Sequence, residues 1–345
     1  MKIFIPYNDK QIENKRGVDL YTDKLIEGVK SKQDVKLVKN LSDSDLVHLT
    51  AVDFFGKPEN HLLDYPYIYT IHDLIPIKFP NHFPKGIKGS IKWMFNKRIL
   101  KKSQVIITDS EGSKQDIVNL LNYPEEKIAV IPLAAREQFK PMTAEQKEKF
   151  KSVKEKYSLP DDFVLYVGDV NWNKNLPGLA KACIELEIPL VVVGSKASVE
   201  EYDQDHPENR ALVEFKQLKK ENPELVITTG FVPDRYLVYL YNVATFYCQP
   251  SFYEGFGLPL LEAMACGCPV ISSDRASLPE VGGDAPVYFN PREEGELINK
   301  LRELWKHKED INIIKNMTKR SLKQAQAFSW KKTVSNTIKV YQKLL

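Results

Sequence analysis

In SFYEGFGLPLLEAMACGCPV, Ser251 to Val270, Glu254 stands in a glycine-rich turn and Glu262 follows eight residues later. The turn reads Tyr253-Glu254-Gly255-Phe256-Gly257. A short helix follows, with Pro259 near its first position and Gly267 past its end, the asymmetry expected of a helix. A helix start directs unsatisfied N–H groups and the positive end of its dipole outward, which suits a phosphate. Gly255 and Gly257 let the backbone come close to a ligand. A carboxylate only accepts hydrogen bonds, so the natural partners of both glutamates are hydroxyl groups. The arrangement predicts a diphosphate at the turn, with the glutamates holding a sugar and a ribose at its two ends. Taken singly, each residue also fits a plainer reading, a loop-tip glutamate or a carboxylate favoured by the helix dipole. Spacing and context together favour the site.

A second anion-binding group is read from VGDVNWNKNL, where Gly168 ends a strand and Lys174-Asn175 precede a helix pattern. Lys174 can reach a phosphate as a point charge, although a lone lysine there is more often a solvated one. The segment has neither the Gly-Lys-Ser/Thr of a Walker loop nor a Gly-x-Gly-x-x-Gly fingerprint, which counts against nucleotide hydrolases and dehydrogenases.

Short apolar runs rich in β-branched residues alternate with helix-period segments along the chain, the pattern of βαβ units. In the first half the strand candidates are Lys2 to Tyr7, Asp45 to Thr50, Tyr67 to Ile71, Val105 to Ser110 and Ile128 to Pro132. In the second half they are Phe163 to Gly168, Leu190 to Gly194, Leu225 to Gly230, Thr245 to Ser251, Pro269 to Ser273 and Val287 to Pro291. Each half therefore has its own parallel sheet, an α/β architecture. The charged stretch TAEQKEKFKSVKEKYSLPDD reads as a helix and exposed linker and sets the boundary near residue 158. The expected domains are 1–158 and 159–327, followed by a terminal helix, 328–345, whose apolar stripe of Trp330, Val334, Ile338 and Tyr341 must pack on something, most simply back on the first domain. Two doubly wound domains facing one another leave a cleft at the carboxyl ends of their strands, where such sheets bind ligands.

The 345 residues suit two domains. With 49 basic and 46 acidic side chains the net charge is +3, which gives no basis for nucleic-acid binding. MKIFIPYNDK lacks the pattern of a signal peptide, and no run approaches the length of a membrane span, so a cytoplasmic protein is expected. Cys183, Cys248, Cys266 and Cys268 show no metal-ligand spacing and read as reduced core residues. Between Asp73 and Asp109 there is no acidic residue, while Lys78, Lys85, Lys88, Lys92, Lys97, Arg98, Lys101 and Lys102 all occur. Such a run can meet anionic lipid head groups. Because Arg98 interrupts the stripe of Ile87, Ile91, Met94 and Phe95, with Trp93 and Leu100 opposite, a core helix with basic ends is the favoured reading, and peripheral membrane contact through 85–102 stays open.

The residues resemble those of the retaining glycosyltransferases of family 4, which have the GT-B architecture of two facing Rossmann-like domains. The resemblance covers most of the chain. It is strongest from Gly230-Phe231-Val232-Pro233-Asp234 through PSFYEGFGLPLLEAMACGCPVISSDRASLPEVGGDAPVYFNP, and weaker at Gly17-Val18 to Tyr21, at Thr70 to Leu74, from Asp109 onward and at LYVGDVNWNKNL. It implies that Glu254 contacts the donor sugar and Glu262 the ribose. Backbone at Gly255, Phe256 and Gly257, with Leu258, would meet sugar and diphosphate, and Lys174 would neutralise the leaving group without a metal or other cofactor. Val232 would lie by the base, Gly17 would let the first loop approach the phosphate, and His72 would meet the donor sugar near the acceptor. On its own His72 reads as a strand-end histidine satisfying a loop carbonyl. Asp73 is undecided between site and turn cap, and His48 reads as structural. Many members carry an arginine just before the lysine or after the strand glycine. Here those positions are Asn173 and Asp169, which leaves Lys174, the helix dipole and Arg16 to supply positive charge.

The reaction so implied is transfer of a hexose from a nucleoside diphosphate sugar to a glycan or lipid-linked acceptor hydroxyl with retention, the departing phosphate taking the acceptor proton. The segment IHDLIPIKFP looks most like mannosyltransferase-type members, which makes GDP-mannose the first donor and UDP-glucose the second. A nucleotide-sugar epimerase of the same architecture and a non-catalytic nucleotide-sugar-binding protein are the rival readings.

Overall fold

Val164–Val167 and Leu190–Val193 each place four consecutive apolar side chains in a strand, all of them buried. A strand buried on both faces needs helices on either side, the setting of a parallel sheet. The computed structural model, which describes residues 1–6, 17–293 and 295–345, has two such sheets of six strands, and every paired strand runs parallel to its neighbour. The chain divides into two units: Met1–Ala134 with Phe328–Leu345, and Ala135–Ala327.

In the first unit β1 (Lys2–Phe4), β2 (Lys36–Leu37), β3 (Leu46–Leu49), β4 (Tyr67–Thr70), β5 (Ile106–Thr108) and β6 (Ile128–Val130) form a sheet in the order β2-β1-β3-β4-β5-β6. The two-residue edge strand β2 is absent from the sequence reading, because two half-exposed residues carry no periodic signal. The terminal helix Trp330–Leu344 buries Val334, Ile338 and Tyr341 in this unit, against helix Val18–Lys30. Contact between the two helices requires glycine at position 28, where an added Cβ would lie 2.4 Å from Val334 Cγ2.

Helix Gly86–Lys102 packs one face into the core of the first unit, as expected, and leaves the other face apolar and exposed. It buries Trp93, Asn96, Ile99 and Leu100, while Ile87, Ile91, Met94 and Phe95 are all exposed. The stripe of Ile87, Ile91, Met94 and Phe95 points to solvent, and Trp93 and Leu100, on the opposite side, make the packing contacts.

In the second unit β7 (Val164–Val167), β8 (Leu190–Val193), β9 (Val226–Gly230), β10 (Phe246–Gln249), β11 (Val270–Ser273) and β12 (Val287–Phe289) take the order β12-β11-β10-β7-β8-β9. From β7 the chain winds outward through β8 and β9, then returns to place β10 on the other side of β7. Strand order reverses between β7 and β10, and the loops leaving such a switch point diverge to leave a crevice for ligand. The unit begins at Ala135, well before the boundary expected near residue 158. The charged stretch read as a linker forms two short helices, Ala144–Lys149 and Lys151–Lys156, tied to helix Asp234–Val243: the Lys147 ammonium donates to the Asn242 carbonyl at 2.8 Å, and the Phe150 ring packs on Tyr236 and Tyr239. The four cysteines are buried free thiols, and burial raises the pKa of each.

Candidate active site

The loops that follow β7 and β10 carry Lys174 and Glu254, so the switch point brings together residues 80 positions apart in sequence. Lys174 Nζ lies 2.9 Å from Glu254 Oε1 and 2.7 Å from Oε2. Oε1 also accepts from Gln249 Nε2 at 2.8 Å and Ser251 Oγ at 2.7 Å, and the Tyr247 hydroxyl donates to the Gln249 side-chain oxygen. Glu254 is buried, and these donors fix its carboxylate in one orientation.

The two loops are fastened to each other by the residue that stands where the family often has arginine. Asn173 is buried; its carbonyl accepts from Phe252 N at 2.8 Å and Tyr253 N at 3.3 Å, and its amide donates to the Tyr253 carbonyl at 3.0 Å. Asn175 donates to the Pro250 carbonyl at 3.1 Å, and the rings of Trp172 and Phe252 stack at 5.4 Å. Asn173 is therefore a clamp that sets the loop carrying Lys174 beside the loop carrying Glu254. Exposed Asp169 accepts a hydrogen bond from the Tyr166 hydroxyl through its carbonyl, at 2.7 Å. On the neighbouring strand end Lys196 donates to Asn171 Oδ1 at 2.8 Å.

Helix Leu258–Ala265 begins at Gly257, whose φ of +97° is one that only glycine adopts without strain. Gly255 and Phe256 are buried in the turn, and Leu258 is the first helical residue. Glu262 is buried on this helix and has a partner the sequence did not reveal. Arg136 donates to Glu262 Oε1 through Nε at 3.2 Å and a terminal nitrogen at 2.9 Å, and pairs through its other terminal nitrogen with Asp234, the first residue of helix Asp234–Val243. Burial alone would loosen the guanidinium's proton, but the two carboxylates hold it more firmly. Arg136 sits in VIPLAAREQF, which has no motif, and 126 positions separate it from Glu262. A lone arginine closing an apolar run was the one available signal. Val232 is fully buried ahead of the same helix, with Phe231 exposed beside it.

In the first unit, the carboxyl ends of β3, β4 and β5 converge on His72. Its Nδ1 lies 2.6 Å from Asp109 Oδ2 and its Nε2 3.2 Å from the Thr50 carbonyl, and the Tyr21 ring meets it edge-on at 5.0 Å. Burial pulls the His72 pKa down, but the charge and hydrogen bond of Asp109, with Asp73 nearby, raise it above the ordinary value. His72 thus lies against a loop carbonyl, as its strand-end position suggests, and also pairs with Asp109. Asp73 caps the turn by accepting from Ile75 N at 3.0 Å. His48 is buried, 2.6 Å from the Tyr341 hydroxyl and 2.8 Å from that of Thr70. Burial pushes its pKa down to about 3, with repulsion from His72 adding to the effect. Gly17 has a φ of +58° and starts helix Val18–Lys30. Arg16 lies outside the described residues.

A helix start beside buried carboxylate–cation pairs thus stands at the switch point of a parallel sheet, an arrangement suited to an anionic ligand with hydroxyl groups. Residues 146–324 match the family described as Glycosyl transferases group 1, and residues 24–135 match Glycosyltransferase Family 4. The chain belongs to these glycosyltransferases. It is 31% identical over 285 residues to O-antigen chain mannosyltransferase B of Escherichia coli, covering 80% of this chain and 70% of that protein. Among solved structures it is similar to sucrose-phosphate synthase from Thermosynechococcus elongatus, with a TM-score of 0.77 at 18% identity over 99% of this chain and 98% of the other. It is also similar to Anabaena HepE in complex with UDP-glucose, with a TM-score of 0.72 at 16% identity over 99% of both chains. The fold is accordingly of the GT-B class.

Proposed function

We propose that this glycosyltransferase moves a hexose from a nucleoside diphosphate sugar to an acceptor hydroxyl with retention at the anomeric carbon and without a metal. Mannose from GDP-mannose is the first donor, supported by the mannosyltransferase relative; glucose from UDP-glucose is the second. The acceptor is a glycan or a lipid-linked hydroxyl. The observation that carries the reading is the Lys174–Glu254 pair at the switch point, where a cation and an acceptor-only group are held side by side.

The donor diphosphate lies at the start of helix Leu258–Ala265, against the backbone of Gly255, Phe256, Gly257 and Leu258. Lys174, already within reach of Glu254, shares its ammonium with the phosphate as the bond from the anomeric carbon to the phosphate oxygen breaks. The acceptor oxygen bonds to that carbon on the same face, and its proton passes to the departing phosphate. Glu254 stays oriented by Gln249 and Ser251 and accepts from sugar hydroxyls. Arg136 orients Glu262 toward the ribose, Val232 lies by the base, Gly17 lets the first loop near the phosphate, and His72 is a catalytic group of the first unit.

Incubation of the chain with GDP-mannose or UDP-glucose, an acceptor panel and a chelator tests this, with products resolved by anomeric NMR. A new glycoside of retained configuration is expected. An epimerised donor, or donor bound and returned unchanged, overturns the proposal.

A further inference from the structure

The loops that follow β4 and β5 are stitched together around one side chain. Ile71 N donates to the Ile107 carbonyl at 2.9 Å, Thr108 Oγ1 donates to the Ile71 carbonyl at 2.7 Å, and Ser113 Oγ donates to the His72 carbonyl at 3.0 Å. Ser110 caps helix Glu111–Asp116 by accepting from Ser113 N at 3.0 Å, which fixes Ser113 in turn. The backbone carrying His72 is thus held against the backbone carrying Asp109, and the side chains meet at 2.6 Å. Asp109 is 2% exposed and His72 18%. The second carboxylate oxygen, Oδ1, is buried without a hydrogen-bond partner among the described residues, so His72 is the group that compensates this carboxylate.

Both ring nitrogens of His72 face acceptors. The Thr50 carbonyl, 3.2 Å from Nε2, can only accept, so Nε2 carries a proton. The Asp109 carboxylate opposite Nδ1 also accepts when ionised. An unperturbed aspartate holds its proton to about pH 3.9 and an imidazole to about 6.5, so the proton between them belongs to the ring. Burial weighs against a charge on the ring, and the carboxylates of Asp109 and Asp73 favour it. The other titratable groups packed round the ring among the described residues bring no competing charge. The pKa of His48, on β3, is pushed down to about 3 by burial; that of the buried Tyr21 phenol, bonded to Thr70 Oγ1 at 3.0 Å, is pushed up, so both stay neutral.

We propose that Asp109 is a positioning residue of the transfer reaction: it keeps a proton on each nitrogen of His72, so that the ring meets its substrate as a cationic hydrogen-bond donor and not as a base. The inference rests on the reading of His72 as a catalytic group. Nδ1–H is engaged by Asp109, whereas the bond from Nε2 to Thr50 is long for a charged donor and can be shared with a substrate oxygen. A ring protonated twice has no lone pair for the acceptor's proton, which leaves the departing phosphate to take it.

The test titrates the whole native chain, carrying isotope-labelled histidine, by NMR. His72, assigned by the signals lost in His72→Gln, should be protonated on both nitrogens at neutral pH and titrate above the ordinary histidine range. Asp109→Asn should lower that midpoint and cut kcat about tenfold or more, with the donor KM changed by about twofold or less. The alkaline limb of the kcat–pH profile should move to lower pH in this variant, because the active charged ring is then lost earlier as pH rises. In a His72→Gln background the same change should cost about twofold or less, since its effect passes through the ring. A native ring with one bare nitrogen at neutral pH, an unmoved midpoint in Asp109→Asn, full activity of that variant, or losses that multiply in the double variant would overturn the inference; the native titration decides even where Asp109→Asn does not fold. Because the titration needs no substrate, a native chain that makes no glycoside tells against the proposed reaction, and a neutral ring in a chain that does make it tells against this inference.

Discussion

Each of the two glutamates read from the sequence as a hydroxyl acceptor is also half of a buried ion pair. Removing one partner of such a pair leaves a charge without its counter-ion, which costs about 3–5 kcal/mol. Lys174→Ala should therefore reduce kcat roughly 10²–10³-fold and also lower the unfolding midpoint of the second unit, because Glu254 keeps neutral donors alone. Glu254→Gln keeps the shape and should lose activity to a similar degree with a smaller loss of stability; a fully active Glu254→Gln enzyme in steady-state assays would remove this residue from the site. Arg136→Gln should raise the donor KM more than it lowers kcat, and the difference should shrink with a 2′-deoxynucleotide donor, which lacks one hydroxyl for Glu262 to hold. Glu254, Glu262, Lys174 and His72 were legible because each lies at a strand end or helix start with a local pattern. Arg136 was not, since its role depends on a contact between segments 126 residues apart. Asn173 was legible as a departure but not as a clamp, because its partners lie on another loop.

Among the elements, the eleven strands longer than two residues were readable from runs of β-branched and aromatic side chains, and strand β2 was not. Helix Gly86–Lys102 shows why periodicity can mislead: it carries apolar residues on both faces, and a stripe alone does not say which face meets the core. The same reasoning places a prediction on helix Leu258–Ala265. Gly257→Ala forces a side chain into φ +97° and brings its Cβ to 2.7 Å from Leu278 Cδ2. A loss of about 1–3 kcal/mol in urea unfolding is expected, together with weaker nucleotide binding as the helix start shifts. The division at Ala135 lies before the boundary expected near residue 158 because contacts rather than charge set it. The charged stretch is mostly exposed, as its composition suggests, yet Lys147 and Phe150 fasten its short helices to the second unit.

For the molecule as a whole, two histidines in the first unit make opposite contributions to pH dependence. The His48 pKa is depressed on folding, so its contribution to stability is present above the ordinary value of 6.5 and is lost as pH falls toward about 3. The loss is on the order of 5 kcal/mol across that window. The His72 pKa is raised, so its contribution is full below the ordinary value and fades as pH climbs through the raised one. Melting temperature followed across pH should show a shallower acid limb in His48→Gln and a flatter alkaline limb in His72→Gln. Equal slopes in native and variant chains would contradict both assignments. The return of helix Trp330–Leu344 to the first unit has a consequence for biosynthesis. Residues 1–134 leave the ribosome well before the segment that supplies Val334, Ile338 and Tyr341 to their core. The later-encoded unit can complete itself while the earlier one waits, and stalled nascent chains lacking the last eighteen residues should show protease sensitivity confined to the earlier unit.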